Sequence, residues 1–214
     1  MSEPTPAAYS LLPWVRRGLA SLVSATPATA AAYYASLDTS LVVNGAATPA
    51  PGVRLYGPGD ITSLDARAVI RTEPRNGSGG FEPNYLAAVE FGQPDFPWLF
   101  TPWQANGDRL TRPWICLVVV PLVQGITITA RADAPALLEI DSPLDPFSQL
   151  PDLDTIDFWA HTQLANPGSQ TVQQMIAGDP AAQLSRIVCP RRLDAGTSYA
   201  ACLVPTFRAG VNAG

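Results

Sequence analysis

Proline occupies 22 of the 214 positions, about twice the usual share, and this limits the fold more than any other feature. Each proline removes a backbone N–H and holds φ near about −65°. With few aromatics such a chain would read as disordered. Here 18 aromatic residues accompany the prolines, so the reading is an ordered protein with rigid, irregular loops.

Between the prolines lie short segments with strand character. Tyr33, Ala35, Leu37, Leu41 and Val43 alternate with Ser36, Asp38 and Ser40, the pattern of a half-buried strand over 33–43. Asn44-Gly45 ordinarily marks a tight hairpin, but Pro49 and Pro51 are expected to delay the return strand to 53–56. Further strands are expected at 67–71, 87–91, 114–120, 126–130, 137–140, 186–189 and 198–204. Many short strands with Pro and Gly punctuation predict a mainly β fold, a sandwich or open barrel, with two or three short α-helices. The helices are expected at 13–23, where Trp14, Val15, Leu19, Leu22 and Val23 follow helical spacing, at 151–164, and at 180–185. Residues 1–9 read as a loose leader and 10–208 as one β-rich module, with 151–186 as a helical lobe. Residues 209–214 read as a tail or a link to a further C-terminal region.

Composition removes several function classes. Net charge is −5 and charged residues make up 14%, so a nucleic-acid partner, which needs a basic face, is not expected. All 13 basic residues are arginine, a side chain suited to interfaces, although a GC-rich genome explains the same bias. No apolar run approaches the roughly 20 residues of a membrane helix, and the N-terminus lacks a signal-peptide pattern. No membrane insertion and a cytoplasmic location are expected. Cys116, Cys189 and Cys202 read as small buried hydrophobes in a reducing compartment.

Catalytic patterns fail in turn. The single histidine, His161, rules out two-histidine zinc helices, and there is no Cys-x-x-Cys pair. A phosphate-binding loop needs a lysine, and the chain has none. Gly57-Pro58-Gly59-Asp60 half resembles a dinucleotide loop, but Thr62 stands where a third glycine is required. Asp152, Asp154 and Asp157 lack the glycine and glutamate of a calcium loop and read as helix caps. Asp141 and Asp145 form an unremarkable acidic pair, and Asn76 lies in an exposed Gly-rich loop. The expectation is no enzyme, no catalytic residue, no cofactor, no metal and no small-molecule substrate.

The densest feature is FEPNYLAAVEFGQPDFPWLFTPW, residues 81–103. Rings held by prolines can fill a core, stack on sugars or anchor a protein interface. Phe81, Tyr85, Phe96, Trp98, Phe100 and Trp103, with Trp14 from the N-terminal segment, are the candidate interface residues. Trp98 and Trp103 lead because tryptophan in a Pro-rich loop is hard to bury on both faces.

RLYGPGDI (54–61), FEPNY and DFPWLFTP (81–85 and 95–102), RPWICLVVV (112–120), LSRIVCPRRL (184–193) and YAACLVPTF (199–207) together define a resemblance. From about residue 10 to 208 the chain resembles the N-terminal region of large proteins encoded in bacterial contractile injection system clusters, which specify phage-tail-like particles. The resemblance carries no catalytic residues. It implies a structural or accessory particle subunit at the baseplate or a tail terminus, with other protein subunits as partners. A module of a cargo or lytic effector, and a carbohydrate-binding module using Trp98 or Trp103, are the alternatives.

Overall fold

The computed structural model describes residues 8–24, 34–104, 110–132, 134–166 and 170–208. In chain order its strands are β1 (Ala8–Leu12), β2 (Ser36–Val43), β3 (Ala46–Arg54), β4 (Val69–Glu73), β5 (Ala88–Phe91), β6 (Ile115–Pro121), β7 (Ile126–Thr129) and β8 (Leu137–Ile140). After the short helix α1 (Pro146–Gln149) come β9 (Ala160–Asn166), α2 (Val172–Ala177), β10 (Gln183–Val188) and β11 (Tyr199–Pro205). The fold is mainly β, with two short α-helices and several single turns of 3-10 helix among the described residues.

One antiparallel sheet has the order β1-β9-β10-β5-β4, and three two-stranded ribbons pair β11 with β6, β2 with β3 and β7 with β8. Strand β6 explains the arrangement. Its sequence ICLVVV is apolar at every position, as a strand covered on both faces requires. Ile115, Leu117 and Val119 join Val89, Phe91, Ala160 and Ile187 of the large sheet in the main core. Cys116, Val118 and Val120 pack on the other face with Ile156 and with Ile126, Leu138 and Ile140 of the β7–β8 ribbon. Three layers are therefore stitched together by one strand.

The helical expectations need correction. Over 13–23 the chain forms only a 3-10 turn, Gly18–Leu22. Gly18 has φ +54°, which ends any right-handed helix, and the buried residues are Val15, Ala20 and Val23 rather than a helical stripe. Within 151–164 a 3-10 turn at Ile156–Phe158 leads straight into β9. There Ala160, Thr162 and Leu164 are buried while His161 and Gln163 are only half-buried. This period of two was hidden because its inward residues include Ala and Thr. At 180–185 a 3-10 turn, Pro180–Ala182, is followed at once by β10.

The two α-helices of the described residues lie outside the three expected helical spans, although α2 falls within the expected 151–186 helical lobe. Asp145 caps α1 by accepting from the Phe147 N–H at 3.2 Å. Thr171 and Gln174 form a reciprocal capping box on α2, a Thr-x-x-Gln pattern readable in the sequence. Residues 8 and 9 of the expected leader begin β1, which pairs along β9; residues 1–7 and 209–214 lie outside the described residues, as does Tyr33.

The hairpin expectation is also corrected. Asn44 (φ +51°) and Gly45 (φ +80°) make a two-residue turn of the type whose twist suits a hairpin, and β3 resumes at Ala46. Pro49 does not break it. It lies opposite Ser40, three pairs from the hydrogen-bonded closing pair, so its missing N–H would have pointed out of the ladder. Nor is β2 half-buried: seven of its eight residues are exposed and only Leu37 is intermediate.

Candidate interaction surface

The segment 95–103 is built around two indoles. A 3-10 turn at Phe96–Trp98 brings it against 111–114, and each piece satisfies the other. The Trp98 Nε1–H donates to the Thr111 carbonyl at 2.8 Å and the Trp114 Nε1–H to the Phe96 carbonyl at 2.8 Å. The Trp114 N–H donates to the Pro97 carbonyl at 2.7 Å, and the Thr101 hydroxyl to the Arg112 carbonyl at 2.8 Å. A buried tryptophan is costly only if its N–H lacks a partner. Here both partners are backbone carbonyls, and the Phe96 carbonyl also accepts from the Leu99 N–H at 3.3 Å.

This overturns the reading of Trp98 and Phe96 as surface anchors. Trp98 is 0% exposed and Phe96 stacks on Phe91 with centroids 4.4 Å apart. Phe100 meets Trp114 edge-on at 4.9 Å and Trp103 meets Phe207 edge-on at 4.7 Å, both half-buried. Trp14 and Phe81 are likewise half-buried against the main core. Of the seven candidates only Tyr85, 67% exposed, presents its ring outward.

The pair Arg16-Arg17 holds the N-terminal segment onto this cluster. The Arg16 guanidinium donates to the Thr101 carbonyl at 2.7 Å and the Trp103 carbonyl at 2.9 Å; burial lowers its pKa to about 10. Arg17 donates through Nε and Nη2 to Oδ1 of buried Asp95 at 3.1 and 2.9 Å. Nothing local in the sequence marks these two arginines as partners of the 95–103 segment.

The acidic, histidine and cysteine side chains of the described residues are dispersed. Gly57–Asp60 is a turn closed by the Asp60 carboxylate, which accepts from the Gly57 N–H at 2.8 Å and from Arg54 at 2.8 Å. Asp152 organises the turn before Thr155, while Asp157 pairs with Arg112 at 3.6 Å; neither caps an α-helix. Among the described residues no three His, Cys, Asp or Glu side chains converge as metal ligands. The three cysteines are free, and burial pushes the Cys116 thiol up to about 12.

His161 stands on β9 opposite Arg186, which itself lies opposite Glu90. Its Nε2 is 3.4 Å from Arg186 Nη1, and Arg186 pairs with the buried Glu90 carboxylate. Burial, then the charge of Arg186, lowers the histidine pKa below its ordinary 6.5, against the opposing pull of Glu90. A depressed histidine pKa means that the unfolded chain takes up a proton more readily than the fold. The contribution to stability is therefore complete above pH 6.5 and declines as pH falls through the lowered folded value. His161→Gln should flatten that part of a stability-versus-pH curve measured by chemical denaturation; an unchanged curve would assign the acid sensitivity to other groups.

The outward-facing apolar side chains lie elsewhere than expected. Phe147 is 87% exposed, Phe158 72% and Tyr56 76%; Leu41, Val42 and Val43 of the hairpin tip are exposed as well. Phe147 and Phe158 belong to a stretch, 132–185, that contains no arginine or lysine and eight carboxylates. Arg112 and Arg191 tie that stretch down, reaching the Leu153 carbonyl at 2.9 Å and Gln149 Oε1 at 2.9 Å. No helix of the described residues is long and apolar enough to cross a membrane. No family model, curated protein or solved structure matches this chain.

Proposed function

We propose that this protein is a structural or accessory subunit of a phage-tail-like contractile injection particle, made in the cytoplasm and acting by packing against neighbouring subunits at the baseplate or a tail terminus. The exposure of Phe147, Phe158, Tyr56, Tyr85 and the hairpin valines in the isolated chain carries this reading. Aromatic side chains are enriched at interface centres, where they supply much of the association energy. With charged residues at 14%, little repulsion protects such surfaces from association. The resemblance noted in the sequence suggests the kind of assembly, and the exposed apolar side chains support packing as its means.

The acidic stretch around Phe147 and Phe158 favours a neighbour that presents arginine or lysine around an apolar pocket. Phe147→Asp together with Phe158→Asp should leave the melting temperature of the isolated protein within a few degrees, since exposed positions contribute little to folding. The same pair should remove the tagged chain from particles sedimented out of a producing cell. Undiminished recovery would mean that these rings are not the contact. Absence of the wild-type chain from purified particles would overturn the proposal itself.

A further inference from the structure

A cleft of about 850 Å³ opens between two loops, 74–81 after β4 and 193–198 before β11. Its floor is apolar: Val89 of β5, Leu117 and Val119 of β6, and Leu193, all members of the main core. The cleft therefore lies between the large sheet and the β6–β11 ribbon. Its volume falls inside the range of roughly 300–1,000 Å³ of small-molecule sites. Glycine keeps the mouth open. A Cβ built on Gly77, Gly79, Gly80 or Gly196 would meet no atom within 4 Å, so nothing in the chain fills the space beside these backbones.

The polar groups around this floor are of both signs. Arg71 holds the Glu73 carboxylate through Oε1 alone. The Tyr199 hydroxyl donates to Asp194 Oδ2 at 3.2 Å and accepts from the Asp194 N–H at 2.9 Å, which fixes ring and carboxylate together. Both carboxylates are thus positioned, and among the described residues each keeps one oxygen, Glu73 Oε2 and Asp194 Oδ1, without a donor. The Arg75, Asn76, Thr197 and Ser198 side chains also line the cleft, and they donate no hydrogen bond among the described residues. Half-buried Phe81 and Tyr199 add ring surface.

This lining selects against most ligand classes. An anion would approach the carboxylates of Glu73 and Asp194, and a cation the unpaired guanidinium of Arg75. A wholly apolar molecule would strip water from all of them without replacing it. A neutral polyol suits every group. Each of its hydroxyls donates to a carboxylate and accepts from a guanidinium or amide, while its C–H face lies on a ring. We propose that the cleft binds a neutral mono- or disaccharide, with Glu73 and Asp194 accepting from its hydroxyls, Arg75 and Asn76 donating to them, and the Tyr199 ring against the sugar face. Trp98 and Trp103, the rings that the sequence favours for sugar, do not line it. The site is independent of the assembly reading, since it uses neither Phe147 nor Phe158.

Saturation-transfer NMR on the full chain tests this, with glucose, galactose, mannose, N-acetylglucosamine, maltose, lactose and cellobiose as probes. At least one should bind with a Kd of about 1 mM or tighter. Arg75→Ala and Asp194→Asn should each weaken that sugar about tenfold, the usual cost of one hydrogen bond to a charged group. Both positions are exposed, so each variant should melt within a few degrees of the wild type. Phe147→Asp should bind the sugar as the wild type does. Silence from the whole panel, or binding that both cleft variants leave unchanged, would overturn the site. Tighter binding of glucuronate or glucosamine than of glucose would overturn the neutral class of ligand.

Discussion

Trp98→Ala is expected to destabilise the isolated protein by about 3–5 kcal/mol, the range for removing a fully buried large side chain, which for a chain of this size lowers the melting temperature by about 10 °C. The ring is 0% exposed in the main core, and the Thr111 carbonyl would lose its 2.8 Å donor as well. Tyr85→Ala, in the same segment but with an outward ring, should change stability by no more than about 0.5 kcal/mol. Thermal and urea unfolding of both variants measures the contrast. Equal, small effects would mean that the 95–103 segment is not packed as described.

Arg17→Ala should cost about 2–3 kcal/mol. Asp95 is buried, and its carboxylate Oδ1 receives both Nε and Nη2 of Arg17; stranding a buried charge is far worse than losing a surface pair. The lower end of that effect is expected because the Arg17 side chain is 31% exposed and water screens part of the interaction. Asp95→Asn in the same background removes the stranded charge and should recover part of the loss, which a double-mutant cycle would read as a coupling energy. Additive losses would show that the two residues act independently.

Strand character survived the passage from sequence to structure better than helix character did. The run ICLVVV announced a buried strand because β6 is apolar on both faces, and no neighbour could change that. By contrast β9 reads AHTQLAN, a string with little propensity of its own, whose pairing with β1 and β10 makes it a strand. Tertiary pairing overrides weak local preference. The segment 13–23 failed for a local reason that was visible, Gly18, and α2 was missed although Thr171 and Gln174 spelled its capping box.

The candidate surface was less legible. Pattern and composition identified the aromatic segment as important but not which way its rings face. That depended on residues 111–114 and 207, which lie outside the segment in sequence yet meet Trp98 and Trp103 in space. The same limitation hid the roles of Arg16 and Arg17, whose partners are 78 to 87 positions away.

By itself, the sequence determined what local chemistry determines: a mainly β chain, interrupted by prolines, with a doubly buried β6 and a turn at Asn44-Gly45. Only the tertiary structure decided which apolar residues are core and which face outward. Burial depends on what a distant part of the chain places over a side chain, and a ring carries no local mark of its cover. Thus Trp98 became the centre of the core, while Phe147, Phe158 and the valines of the β2–β3 hairpin were left facing outward.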